Sequence, residues 1–267
     1  MKRFFISLLF LSLAIAAQNA LAQDWAKEKL NKSPRHNEWV DLKNGDRTVK
    51  TFVVYPEVKT KAPVVLVIHE IFGLTDWAKN LADELAAAGY IAIAPDLLSA
   101  PGKDTSSYPD QGAAIKAISA LPDAQVFADL DAAAEYAKKL PAANGTFAVT
   151  GFCWGGGKSF AYANHNPQLK AAFVFYGPGP ETAEQAAKIA CPVYGFYGED
   201  DARIGATIPQ TKEIMQKAGK TYEPVIYPGA GHGFMRAGEA PDASEANRKA
   251  HDSAWDRWKS LLKKMNG

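Results

Sequence analysis

The stretch Gly151-Phe152-Cys153-Trp154-Gly155-Gly156-Gly157 holds the residue best placed for chemistry. An apolar, β-prone run, Thr146-Phe147-Ala148-Val149-Thr150, leads into it, and a helix-compatible run follows through Tyr162. Gly-x-Cys-x-Gly between a strand and a helix is the layout of a nucleophile elbow, with cysteine where serine more often stands. Glycine is needed on both sides because the backbone packs too closely for a Cβ and the central residue sits in strained φ/ψ space. A thiol at a helix N-terminus meets the positive end of the helix dipole, which favours the attacking thiolate. A lone cysteine is more often a small core residue; this glycine pattern after a β-run makes Cys153 the candidate nucleophile.

A nucleophile needs a base, an acid to orient that base, and a scaffold that brings them together. Runs 38–42 and 47–55 read as two strands joined by Lys43-Asn44-Gly45-Asp46, where Asn-Gly signals a hairpin. Continuous apolar runs of the kind that fill a buried parallel sheet follow at 64–68, 90–95, 146–150, 170–176, 192–197 and 221–227. Helical patterns lie between or after them at 77–89, 113–121, 123–140, 156–164, 181–188, 207–218 and 243–264. Strands alternating with helices imply an α/β fold: a mostly parallel central sheet with an N-terminal antiparallel hairpin and helices on both faces.

In such folds functional residues sit on loops at the carboxyl ends of strands. Those loops hold His69-Glu70-Ile71-Phe72-Gly73, then Asp96, then Cys153, then Gly198-Glu199-Asp200-Asp201, then Gly229-Ala230-Gly231-His232-Gly233-Phe234. Nucleophile, acid and histidine appear in the chain order of an α/β-hydrolase triad. His232 is the candidate base. His36 lies in a polar leader, His165 in a turn and His251 on the last helix, while His69 precedes the acid. Asp200 and Asp201 compete for the acid role, with Glu199 third, and spacing does not separate them. Glu70 borders the pocket or is a salt-bridged surface carboxylate. A His-Glu-x-x-His metal site fails because Gly73 stands where the second histidine belongs, so no metal or other cofactor is expected. Gly157-Lys158-Ser159 ends like a phosphate loop, but Phe152 occupies the position of its first glycine.

The 267 residues carry 30 Lys+Arg against 29 Asp+Glu, a net charge of +1 that points neither to nucleic acid nor to a basic membrane surface. Residues 1–22 read as a signal peptide: Lys2 and Arg3, an apolar run over 4–17, and Ala20-Leu21-Ala22 before a cut at Gln23. That run is shorter than the roughly 20 residues of a spanning helix, so a periplasmic or secreted protein without a membrane span is expected after cleavage. Residues 23–37 read as a polar extension laid over the surface, and 38–267 as one domain, expected to be monomeric. Cys153 and Cys191 are read as free thiols.

Glu70-Ile71-Phe72-Gly73, Gly151-Phe152-Cys153-Trp154-Gly155-Gly156, Gly198-x-x-Asp201 with Arg203-Ile204, and Gly231-His232-Gly233-Phe234 together resemble the dienelactone hydrolase family, from about residue 39 to the C-terminus. The resemblance implies a Cys153–His232–Asp201 triad, selecting Asp201 over Asp200. It implies that Glu70 contacts the thiol and accepts its proton when substrate binds, and that Arg236 binds a substrate carboxylate. Tyr176 and Phe234 are carried over as substrate-binding residues. The family's second carboxylate-binding arginine has no counterpart here, since residues 99–111 hold only Lys103. The oxyanion is expected at the backbone N–H groups of Ile71 and Trp154. The expected reaction is hydrolysis of a small lactone or carboxylic ester through a Cys153 thioester. Another exported carboxylesterase, or a ligand-binding protein that kept the fold, are the other readings.

Overall fold

The computed structural model describes residues 23–265; the expected signal peptide lies outside the described residues. Strands β1 (Asn37–Asn44) and β2 (Arg47–Val54) pair antiparallel in register from Asn37 with Val54 to Asn44 with Arg47. The two-residue loop between them starts at Gly45, whose φ of 56° is the left-handed region that a tight hairpin demands. Then come β3 (Ala62–Ile68), β4 (Ile91–Pro95), β5 (Ala143–Phe152), β6 (Ala172–Phe175), β7 (Val193–Gly198) and β8 (Tyr222–Tyr227). One eight-stranded sheet has the order β1-β2-β4-β3-β5-β6-β7-β8. β1 and β2 are the antiparallel part; β3 to β8 pair parallel.

From β3 the chain first moves to β4 on one side, then crosses to β5 on the other. The carboxyl ends of β3 and β5 therefore flank a topological switch point, where loops diverge and leave a crevice. Buried strand residues alternate between two faces. Val64, Leu66 and Ile68 pack with α4 (Asp123–Lys139) and α5 (Trp154–His165). Val65 and Val67 pack with Trp77 of α2 (Asp76–Ala87) and Trp258 of α10 (Glu245–Lys264). This alternation, apolar on both faces, is why the strands read as continuous apolar runs.

The floor beneath the elbow is aromatic. Phe152, Phe175 and Phe196, from the adjacent strands β5, β6 and β7, stack at ring separations of 4.6 and 4.2 Å, and Trp258 meets Phe175 edge-on at 4.9 Å. Each fully buried ring contributes about 1.5–3 kcal/mol by leaving water. The elbow thus rests on a rigid base.

Two sequence expectations need correction. Residues 23–31 form a helix, α1, rather than an extended leader. Ala26 is wholly buried, and Trp25 and Leu30 pack on the core. Their spacing makes one apolar helix stripe, diluted in sequence by charged neighbours. Arg35 then pairs with buried Asp83 through two bonds, one of 2.9 Å. The second correction adds two short helices: α7 (Ala202–Gly205), carrying Arg203, and α9 (Phe234–Glu239), carrying Arg236. Among the described residues no helix is long and apolar enough to cross a membrane.

Candidate active site

Cys153 stands between the end of β5 and the first turn of α5, with φ 57° and ψ −117°. A side chain in this region is strained by about 1–3 kcal/mol and persists only where its surroundings hold it. They do so through close backbone contacts. A Cβ on Gly151 would lie 1.9 Å from the Gly155 carbonyl oxygen, and one on Gly155 would lie 2.3 Å from that of His69. The Cys153 N–H donates to the Phe175 carbonyl at 3.0 Å, tying the elbow to the next strand.

His232 arrives from the loop after β8, with Nε2 3.1 Å from Cys153 Sγ. Its Nδ1 is 2.5 Å from Asp201 Oδ2, in the loop after β7. Asp201 is buried, and its other oxygen accepts the Ile204 N–H at 3.3 Å as the cap of α7. Asp200 and Glu199 point outward, and Glu199 accepts the Gly229 N–H. The structure thus brings Asp201, and neither rival acid, to the histidine. Burial opposes a charged His232 ring, but hydrogen bonds to Cys153 and Asp201 and the charges behind them outweigh it and hold His232 above the ordinary histidine range. That favours the charged, imidazolium form of the ring.

Glu70 is 3 % exposed and not a surface carboxylate. Its Oε2 accepts Arg236 Nε at 2.8 Å, and its Oε1 a long contact of 3.5 Å from the Tyr176 hydroxyl. The hydrogen bonds of Glu70 therefore run to Arg236 and Tyr176 rather than to the thiol. Arg236, expected to meet a substrate carboxylate, is held by a carboxylate of the chain itself, with its guanidinium 5.3 Å from the Phe72 ring. Tyr176 is buried, and burial followed by the Glu70 charge keeps its hydroxyl protonated far above the ordinary range. Its ring meets those of His232 and Phe234 edge-on at 5.1 and 5.4 Å. Phe234 is wholly buried and packs against the Tyr176 ring.

The backbone N–H groups of Ile71 and Trp154 are engaged by no protein acceptor among the described residues. Both residues border the same cavity as Cys153 and Tyr176, about 740 Å³ in volume. His69, passed over as a base, fixes this corner. Its Nδ1 is 2.7 Å from the Glu70 carbonyl, its Nε2 accepts the Leu97 N–H at 3.3 Å, and its ring stacks on Trp154 at 5.9 Å. Burial lowers its proton affinity and keeps it neutral, as this donor and acceptor pair requires. Across the corner, Thr105 donates to Asp96 at 2.7 and 2.8 Å and accepts the Leu74 N–H at 2.9 Å, pinning the long loop after β4. Nothing in the spacing of His69 or Thr105 signals these roles, which depend on loops meeting in space. Cys153 and Cys191 are both free.

The model of the dienelactone hydrolase family matches residues 49–266. A Methylorubrum extorquens protein assigned as a carboxymethylenebutenolidase is 38 % identical over 200 residues, covering 71 % of this chain and 69 % of its own length. An Escherichia coli protein of the same assignment is 35 % identical over 211 residues, 75 % of each. The crystal structure of a Klebsiella pneumoniae protein assigned as a dienelactone hydrolase superposes with a TM-score of 0.76 at 31 % identity, covering 86 % of this chain and 98 % of that one. With its parallel sheet, switch-point crevice and elbow, the chain has the α/β-hydrolase fold and belongs to the dienelactone hydrolase family.

Proposed function

We propose that the protein hydrolyses a lactone or carboxylic ester by acyl transfer through a thioester on Cys153. The observation that carries the reading is the Cys153–His232–Asp201 line, with contacts of 3.1 and 2.5 Å. Sγ attacks the carbonyl carbon while the thiol proton passes to His232 Nε2. The oxyanion then gathers on the carbonyl oxygen, where the Ile71 and Trp154 N–H groups face it; one such donor is worth about 3 kcal/mol. Collapse forms the thioester and expels the alkoxide, which takes the proton from Nε2. Water, deprotonated by Nε2, attacks the thioester, and the acid leaves with the thiol restored. Asp201 holds the Nδ1 proton and stabilises the imidazolium in both halves. Glu70 enters where a substrate carboxylate competes for Arg236: freed of its partner, it becomes a second acceptor for the thiol proton.

The test is p-nitrophenyl acetate turnover by wild type and Cys153→Ala, with mass spectrometry of the wild type quenched during turnover. Loss of turnover in the variant and an acetyl adduct on Cys153 are expected; equal rates in the two proteins would refute the nucleophile. The same reading makes the protein an exported monomer with no nucleic-acid partner, resident in the periplasm or secreted. Expression from its own N-terminus should yield a mature chain starting at Gln23 outside the cytoplasm, and an uncut cytoplasmic chain would contradict export.

A further inference from the structure

The cavity beside Cys153 is larger than a small lactone ring needs, and it runs in one direction. Gly157, Phe160, Ala161 and Asn164 border it, spaced i, i+3, i+4 and i+7, so one face of α5 forms its wall. Seven residues of helix extend the wall by on the order of 10 Å. Phe127 and Pro178 add apolar surface. His232 is not part of this wall. Since His232 must protonate the leaving alcohol, the alcohol departs on the histidine side and the cavity receives the acyl group.

Two cations border the cavity, and they differ. Lys158 is bonded to Asp123, which shares the wall, and lies 5.3 Å from the Trp154 ring, so its charge is already matched. Arg203 has no carboxylate partner among the described residues. The backbone that carries it is held, since Asp201 caps α7 through the Ile204 N–H and also meets His232, while the Arg203 side chain itself is exposed. Glu181 lines the cavity on the segment after Pro180. Arg236, bonded to Glu70, does not line the cavity.

Resting on the ester-hydrolase reading above, we propose that Arg203 is a specificity-determining residue that binds an anionic group on the acyl part of the substrate. The preferred substrates are then esters of an elongated acid: an apolar chain along α5 and a carboxylate within reach of the Arg203 guanidinium. A planar guanidinium fork suits a carboxylate, and the apolar wall suits the methylenes between it and the scissile bond. This anion site is separate from Arg236, which does not line the cavity.

The test compares matched substrates: mono-p-nitrophenyl adipate with p-nitrophenyl hexanoate, and mono-p-nitrophenyl suberate with p-nitrophenyl octanoate. Each pair differs only in a terminal carboxylate or methyl. The anionic-to-neutral ratio of kcat/KM is expected to fall about tenfold in Arg203→Gln, more in Arg203→Glu and less in Arg203→Lys. Lys212→Gln, which removes a cation away from the cavity, should leave the ratio as it is. An unchanged ratio in Arg203→Gln overturns the proposal while leaving the hydrolase reading intact. If wild type cleaves no ester at all, the hydrolase reading falls, and calorimetric binding of suberate decides the site without turnover. Suberate should bind Cys153→Ala at least threefold more tightly than the Cys153→Ala/Arg203→Gln double variant, and equal affinity overturns the proposal.

Discussion

Glu70 and Arg236 form an ion pair whose members are unequally wet, and that asymmetry yields a sharp prediction. The Glu70 side chain is 4 % exposed and that of Arg236 is 28 %. Arg236→Met keeps most of the side-chain volume but strands a buried carboxylate whose remaining contact, from Tyr176, is 3.5 Å long. Breaking a buried pair in this way costs about 3–5 kcal/mol. Glu70→Gln strands the guanidinium instead, but water already reaches it, and the amide oxygen can still accept from Nε. The loss is then about 1–2 kcal/mol, that of a charge-assisted bond discounted for exposure. At about 2–4 °C per kcal/mol for a chain of this size, Arg236→Met should melt roughly 5–10 °C below Glu70→Gln. The double variant should lose less than the sum of the two, because it leaves no buried charge. A pH series adds an independent check. In Arg236→Met the stranded carboxylate can neutralise by taking a proton that the unfolded chain releases, so the deficit against wild type should shrink as pH falls from 8 to 5. Urea and thermal unfolding of all four proteins measure this. Equal losses in the two single variants, or a deficit independent of pH, would refute the claim that Glu70 is the buried and costly member.

Two further predictions follow from other contacts. Asp201→Asn keeps the shape but places an amide against His232 Nδ1, disfavouring the tautomer and the imidazolium that the relay needs; kcat for p-nitrophenyl acetate should fall by about 10²–10⁴-fold with melting temperature little changed, and a fall below about threefold would remove Asp201 from the relay. Burial and the adjacent Glu239 charge push Glu84 up to about 7. Burial also opposes ionisation of Glu239, but contacts with His251, the Trp77 indole and Lys29 hold it below the usual range, so Glu84 is the member that keeps a proton. The folded chain then binds a proton that the unfolded chain releases above 4.5, and the contribution of Glu84 to stability declines as pH rises from 4.5 to about 7. Glu84→Gln should flatten the urea midpoint across that window and raise it at pH 8; a variant less stable than wild type at pH 8 would overturn the assignment.

What was legible in the sequence divides by how far its physical cause reaches along the chain. Apolar runs marked β3 and β5 because a strand covered on both faces must be apolar throughout, a property of five to ten consecutive residues. The elbow was legible for the same reason: Gly151 and Gly155 are demanded by contacts within four residues of each other and with the neighbouring strand. Choosing Asp201 over Asp200 required more than spacing, because adjacent residues differ only in which side of a turn they face, and here a helix cap turns one of them inward. α1 was missed because Trp25, Ala26 and Leu30 are too few to stand out, and they form a stripe only once α2 and α10 supply a surface to cover. The partner of Glu70 was not legible as such, since 166 residues separate it from Arg236. The same long-range closure bears on chemistry. The arginine absent from residues 99–111 does not leave the pocket without an unpaired cation, because α7, an element of four residues, puts Arg203 on the cavity wall from the opposite edge of the crevice. A pocket's charge belongs to its loops jointly, and a motif read on one loop at a time marks Cys153 as the candidate nucleophile while leaving the ligand to be decided by residues that no local pattern connects to it.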